Sequence, residues 1–388
     1  MRRRVLVIGG GVIGAATAFF LAARHGVRAI VLERDPSYRR ASSALSASSI
    51  RQQFSCEINI RLSQASLAFY RRIGDELEVG GERPDIGLAE RGYLFLATAA
   101  GLDVLRANHA VQRACGAPVS LLDPSALQAR LPWLAVDGIA GASLGEAAEG
   151  WFDGYGVLQA FRRKAIALGA TFERADVARI ECAGDRVGAA VAADGRRFET
   201  DALLLAAGAW SAPLAAQLRF DLPVRARKRD VFVLASPASL PSCPLVIDPG
   251  GVWFRPDGRG FIAGCPPRGE DVDDAPLEAI DHGLFEEVIW PALAHRVPAF
   301  EALRATGAWA GYYEYNTFDQ NGIVGHLPGW ANAFVGCGFS GHGIQQAPAV
   351  ARALAELIAL GRYDTLDLSP LSPRRLAEKR PLLERNVI

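Results

Sequence analysis

Residues 5 to 33 read Val5-Leu-Val-Ile8, Gly9-Gly10-Gly11-Val12-Ile13-Gly14, an apolar stretch to Ala23, and Ala29-Ile-Val-Leu-Glu33. A strand, a Gly-x-Gly-x-x-Gly turn, a helix and a second strand ending on an acid follow in the order of a dinucleotide-binding βαβ unit. Chemistry accounts for each residue type. Gly9 allows the tight turn, and Gly11 lets the backbone approach a pyrophosphate seated where Val12 and Ile13 open the helix. Gly14 lets helix and strand pack closely. Glu33, 19 residues beyond Gly14, is placed to accept hydrogen bonds from a ribose, the alternative being a solvated strand end.

A competing reading of the same segment has to be weighed. Arginines at 2 to 4, followed by 19 uncharged residues up to Ala23, resemble a signal peptide or a membrane anchor. Four glycines in the first ten of those residues, the lack of a clean cleavage site and direct continuation into the acid-terminated strand argue against it. The expectation is a cytoplasmic protein with no targeting or transmembrane segment.

Composition narrows the class further. The 388 residues are 50% hydrophobic, enough for a large core and two domains, and 42 basic residues balance 42 acidic ones. Neutral balance argues against nucleic acid as a partner. The closest pair of the six cysteines, Cys243 and Cys265, is 22 residues apart, so neither a metal site nor a disulfide framework is expected.

Periodicity predicts a helix from Arg51 to about Gly80, a strand over Gly92–Ala97, a helix over Leu102–Cys115 and a short helix between Asp123-Pro and Leu131-Pro-Trp. A second α/β stretch opens near Gly154 with a helix to Leu168. Strands near Val177 and Ala189 and a turn at Ala193-Asp-Gly195 follow, and the stretch ends in the buried-strand run Asp201 to Gly208. Strand-like runs at 230–234, 252–255 and 260–264 suggest a sheet separate from the parallel one. The segment Val335-Gly-Cys-Gly-Phe-Ser-Gly-His-Gly-Ile-Gln-Gln-Ala-Pro348 then brings four glycines to the start of an alanine-rich helix, with Pro348 expected in its first turn. Such a helix N-terminus would favour negative charge developing on a flavin pyrimidine, whereas a nicotinamide needs no second cradle. A glycine-rich packing loop is the other reading.

The fingerprint, Ala41-Ser-Ser-Ala-Leu-Ser-Ala-Ser-Ser-Ile-Arg51, the Asp201 to Gly208 strand and Gly338-Phe-Ser-Gly-His-Gly343, in this order, resemble the D-amino-acid oxidase superfamily of FAD enzymes, near sarcosine and glycine oxidases. The stretches Trp309 to Gly322 and Gly338 to Pro348 are also similar to the mitochondrial FAD-dependent oxidoreductase domain-containing proteins, a family associated with assembly of a respiratory complex. The resemblance implies an α/β fold with a Rossmann-like FAD-binding domain and a smaller α+β substrate domain carrying a mixed or antiparallel sheet. The FAD-binding domain is expected at 1–80, 141–221 and 316–388, and the substrate domain at 81–140 and 222–315.

By position, the resemblance assigns cofactor contact to Gly9, Gly11, Val12, Ile13, Gly14, Glu33, Arg34, Ser42, Ser43, Ser49, Arg51, Val177, Ala207, Gly208, Trp210, Gly338, Gly341, His342, Gly343, Ile344 and Gln345. It implies oxidation of the C–N bond of an amino acid or N-substituted amino acid, with hydride passing to flavin N5. Arg51, Arg255, Tyr312, His342 and Gln345 are the candidate catalytic residues. Arg51 either lies over the flavin or meets a substrate carboxylate, or makes an ordinary ion pair. Arg255 either clamps a carboxylate or is a solvated strand-end arginine. His342 either acts in the chemistry or fixes the loop. Tyr312, Tyr313 and Tyr315 wall a pocket or fill the core. Related enzymes attach flavin through a cysteine that falls at Tyr312 or a histidine that falls at Ala47, so noncovalent FAD is expected. The oxidases' oxygen-assisting lysine falls at Ile262 and their carboxylate-binding lysine at Gln345, which favours a dehydrogenase passing electrons to a quinone or other carrier over an oxidase using oxygen. The alternative is a flavoprotein scaffold for a respiratory complex.

Overall fold

The computed structural model of the chain describes residues 4–385, so the arginines at 2 and 3 and the last three residues of the expected FAD-binding stretch lie outside the described residues. Strand Val5–Ile8 runs parallel between Ala202–Leu205 and Ala29–Glu33 in a six-stranded sheet. Thr171–Arg174 extends it on one side, and Ala333–Cys337 and the antiparallel Ile323–His326 on the other. Val5–Ile8 and Ala202–Leu205 are buried throughout, the pattern of strands covered on both faces. Val5 and Val7 pack with helices Val12–His25, Glu57–Tyr70, Gly154–Ala167 and Gly343–Leu360. Leu6 and Ile8 meet the antiparallel strands Val177–Ala183 and Arg186–Ala192 and helix Ser211–Gln217.

The separate sheet exists and has eight strands. Arg304–Asn316 and Val224–Ala235 form its longest pair, followed by Gly260–Gly264, Trp253–Asp257, Leu245–Ile247, Tyr93–Ala97, Gly141–Gly145 and Val119–Leu122. It is antiparallel except where Leu245–Ile247 meets Tyr93–Ala97.

Three expectations are corrected. Gly141–Gly145, expected in the FAD-binding domain, bonds between Tyr93–Ala97 and Val119–Leu122 in the large sheet, which moves that boundary past Gly145. The helix expected from Arg51 begins at Glu57 and ends at Tyr70. Residues 51–56 stay irregular because their amides bond elsewhere: Arg51 to Gln345, Gln52 to Glu149, and Ser55 and Cys56 to Glu384. Pro348 is the sixth residue of helix Gly343–Leu360, past the first turn. A proline there cannot donate to the carbonyl four residues earlier. That carbonyl, on Ile344, accepts the Tyr70 hydroxyl instead.

Candidate functional site

The two outer glycines of the fingerprint are fixed by packing. Gly9 has φ +103°, and a Cβ there would lie 2.2 Å from the Ala206 carbonyl oxygen. A Cβ on Gly14 would lie 2.0 Å from the Gly9 oxygen, so the helix rests directly on the turn. At Gly11 an added Cβ would meet only Ser43 Oγ, at 3.4 Å, and its remaining side opens on a cavity. Ser43 Oγ accepts the Val12 amide at 3.1 Å. Its hydroxyl proton remains available to an anion at the helix start.

Glu33 faces the same cavity and organises the turn. Its Oε2 accepts the Gly10 amide and its Oε1 the Asp35 amide, both at 2.8 Å. Burial pushes its carboxyl up, and these amides partly offset the rise. The Arg34 guanidinium lies over Trp210, its carbon 3.9 Å from the ring centroid.

The cavity measures about 480 Å³, within the usual range of ligand sites. Of the expected cofactor residues, Gly9, Gly11, Val12, Ile13, Glu33, Arg34, Ser42, Ser43, Ser49, Val177, Ala207, Gly208, Trp210, Gly341, Gly343 and Ile344 line it, as does Tyr312. Two helix starts, at Val12 and Gly343, open on it. An extended anionic dinucleotide fits this arrangement: a turn whose middle glycine is uncovered, an acid at one end, and a second helix start at the other.

The remaining expected residues lie elsewhere. Gly14 packs beneath the turn, and Gly338 packs against Val224 and Ile323. Arg51, His342 and Gln345 form a buried cluster behind the cavity wall. Arg51 Nη2 donates to His342 Nε2 at 3.2 Å, and Gln345 Oε1 accepts the Arg51 amide at 3.0 Å and the Ser63 hydroxyl at 3.3 Å. Because arginine only donates, His342 Nε2 is its unprotonated nitrogen. Burial, then the charge of Arg51, holds His342 well below the usual histidine range. The Arg51 guanidinium is 4.5 Å from the Phe54 ring centroid. Glu149 accepts the Gln53 side chain at 2.8 Å, and burial pushes its carboxyl up to about 7.

Arg255 does not reach the cavity. Its Nη1 donates to the Pro256 carbonyl and Asp257, and its Nη2 to the Ala47 carbonyl at 2.9 Å, which ties the 46–48 loop to the large sheet. Ile262 sits with it in a shallower hollow beyond that loop. Tyr312 walls the cavity with its hydroxyl committed: it donates to the Ala275 carbonyl at 2.8 Å and accepts from Arg40 at 3.3 Å.

Other lining residues went unnamed in the sequence reading: Arg229, Val231, Trp253 and Glu314. Glu314 Oε2 accepts the Gly338 amide at 3.1 Å, and Oε1 lies against Gly343. Burial pushes its carboxyl up to about 7, and no cation pairs with it among the described residues. Arg229 had a readable signal: Arg225, Arg227 and Arg229 alternate along one strand and so share a face.

Among the described residues, no helix is long and apolar enough to cross a membrane. The family model described as FAD dependent oxidoreductase matches residues 4–357. The chain is 43% identical to FAD-dependent oxidoreductase domain-containing protein 1 of Xenopus laevis, over 100% of this chain and 85% of that protein. Of solved structures, L-proline dehydrogenase from P. horikoshii aligns with a TM-score of 0.87 at 25% identity, covering 98% of this chain and 99% of that one. Glycine oxidase from Geobacillus kaustophilus aligns at 0.79 with 26% identity, covering 95% and 98%.

Proposed function

The chain belongs to the family of FAD-dependent oxidoreductases, and from that premise we propose that it oxidises the C–N bond of an amino acid or N-substituted amino acid to an imine. The observation that carries this reading is the part of the cavity where Val231, Trp253 and Tyr313 of the large sheet come together with the Gly341–Ile344 turn, with Arg229, paired to Asp271, in the same wall. The names of the similar dehydrogenase and oxidase, which act on proline and glycine, support it.

FAD, when bound, supplies the hydride acceptor. Gly9, Gly11 and Ser43 would hold its pyrophosphate, Glu33 its adenosine ribose, and the Gly341–Ile344 turn its ring end. With Ala47 and the committed hydroxyl of Tyr312 at the two attachment positions, it is held without a covalent bond. Trp253, Tyr312 and Tyr313 give the cavity aromatic walls, and an amine entering in its neutral form needs no strong base. Glu314 is the cavity carboxyl that can hold or release a proton near neutral pH.

Likeness to L-proline dehydrogenase supports a carrier such as a quinone as electron acceptor. Ile262 no longer bears on this, because it lies off the cavity. The test is turnover of sarcosine, proline, glycine, D-amino acids and iminodiacids with a dye or quinone acceptor, following the carbonyl product. One of them should yield product faster with the dye than with air. Equal rates with air would return the enzyme to the oxidases, and no product from any would refute the reading.

A further inference from the structure

We propose that Glu314 binds a proton when the flavin of this cavity is reduced and returns it when the flavin is reoxidised. The inference rests on FAD in the cavity and not on the substrate assigned above. Glu314 lies near the end of strand Arg304–Asn316 and lines the cavity, with its carboxyl set among three glycines. Oε2 accepts the Gly338 amide at 3.1 Å and lies 3.6 Å from where a Cβ on Gly208 would stand, and Oε1 lies 3.1 Å from where one on Gly343 would stand. Gly343 opens the helix assigned above to the ring end of FAD. The strand is stitched to the turn before that helix: the Glu314 carbonyl accepts the Ser340 amide at 3.1 Å, and Ser340 Oγ accepts the Asn316 amide at 3.0 Å. The acid is therefore fixed beside the helix start.

The charged and titratable groups around it are engaged elsewhere. On the paired strand Arg227 bonds Asp273, Lys228 pairs with Asp230, and Arg229 with Asp271. Beyond Asn316, Asp319 pairs with Arg375. His342, just before the helix, meets Arg51 and is held neutral by burial. Burial keeps the Cys337 thiol protonated, and the charge of Glu314 pushes it further up. On its own strand the Tyr312 hydroxyl bonds the Ala275 carbonyl, and burial keeps Tyr313 protonated. Glu314 is held by backbone amides alone, those of Gly338 and Phe339.

Reduction places negative charge on the flavin pyrimidine. The helix start at Gly343 favours that charge, and an ionised Glu314 in the same wall opposes it. A like charge arriving in a desolvated site raises the proton affinity of the carboxylate already there. While two electrons and one proton pass from the amine to FAD, Glu314 binds a second proton from solvent. It releases that proton when a carrier takes the electrons. Burial pushes its carboxyl up to about 7, so the exchange belongs to the pH range above that value, where the acid is ionised beside oxidised flavin.

The signature is the direction in which the flavin potential bends with pH. Each proton taken up with two electrons shifts the equilibrium tenfold per pH unit, or about 30 mV. A group that titrates in the reduced state, as flavin itself does, makes the slope shallower as pH rises, whereas an acid that titrates while the flavin is oxidised makes it steeper. The FAD-loaded protein is reduced with dithionite and equilibrated with redox dyes of known potential between about pH 6 and 9. The wild-type slope should correspond to one proton below about pH 7 and to two above it, a hundredfold or about 59 mV per pH unit. Glu314→Gln should follow one proton throughout. Glu149→Gln removes the other buried acid held near 7, and it should keep the steepening. FAD content of each variant serves as the folding control. On wild type alone, the reduced-minus-oxidised infrared difference spectrum at about pH 8 should gain a protonated-carboxyl band, a readout that holds even if Glu314→Gln does not fold. A wild-type slope that never steepens, a steepening that survives in Glu314→Gln, or a missing carboxyl band would overturn the proposal. Since no amine enters these measurements, their failure is separate from a failure of the reaction assigned above.

Discussion

At the scale of single residues, Glu33 shows how one side chain serves both the fold and the ligand. It accepts the Gly10 and Asp35 amides, and each carboxylate oxygen keeps a lone pair for a ribose hydroxyl. Glu33→Ala removes the ribose acceptor and leaves two amides unpaired beside the turn. FAD binding should weaken by roughly 1–3 kcal/mol, measured by titrating the apoprotein with FAD. Glu33→Gln, which keeps one acceptor, should lose less. Affinity unchanged in Glu33→Ala would return Glu33 to an ordinary strand end. The fingerprint was legible in the sequence because its constraints are local. At Gly9 and Gly14 the clash is with backbone a few ångströms away. The destinations of Arg51 and Arg255 were not legible, since they depend on residues 291 and 208 positions away in the chain, His342 and Ala47.

At the scale of elements, helix Gly343–Leu360 is built around an interruption. Pro348 leaves the Ile344 carbonyl without its helical donor, and Tyr70 from helix Glu57–Tyr70 supplies the missing hydrogen. The bond fixes the start of the helix that opens on the cavity. Tyr70→Phe keeps the ring and leaves a buried carbonyl unpaired, which should destabilise the protein by about 1–3 kcal/mol in denaturant unfolding. A loss below a few tenths of a kcal/mol would show that another group satisfies that carbonyl. Helix and strand identities were readable from periodicity, while the late start of the 57–70 helix and the sheet membership of Gly141–Gly145 were not. Both depend on partners that sequence spacing does not reveal: Glu149 and Glu384 for residues 52–56, and two flanking strands for a stretch of small residues.

At the scale of the whole molecule, two buried acids couple folding to pH. Burial holds Glu149 and Glu314 near 7, above the ordinary carboxylate range. Between that range and about 7 the folded protein keeps protons that the unfolded chain releases. The contribution of these groups is therefore fully present at low pH and is lost as pH rises to about 7. Thermal midpoints of wild type against Glu149→Gln and Glu314→Gln, between about pH 5 and 8, should show the wild-type midpoint falling relative to each variant as pH rises. Parallel curves would mean that neither acid is held protonated. The two sheets meet around one cavity, and the central claim is that this cavity joins an FAD to an amine substrate. The most direct measurement is anaerobic mixing of the FAD-loaded protein with sarcosine, proline, glycine, D-amino acids and iminodiacids, one at a time, while the flavin absorbance is followed. The account predicts that at least one of them bleaches the yellow protein; a flavin that stays oxidised with all of them would contradict it.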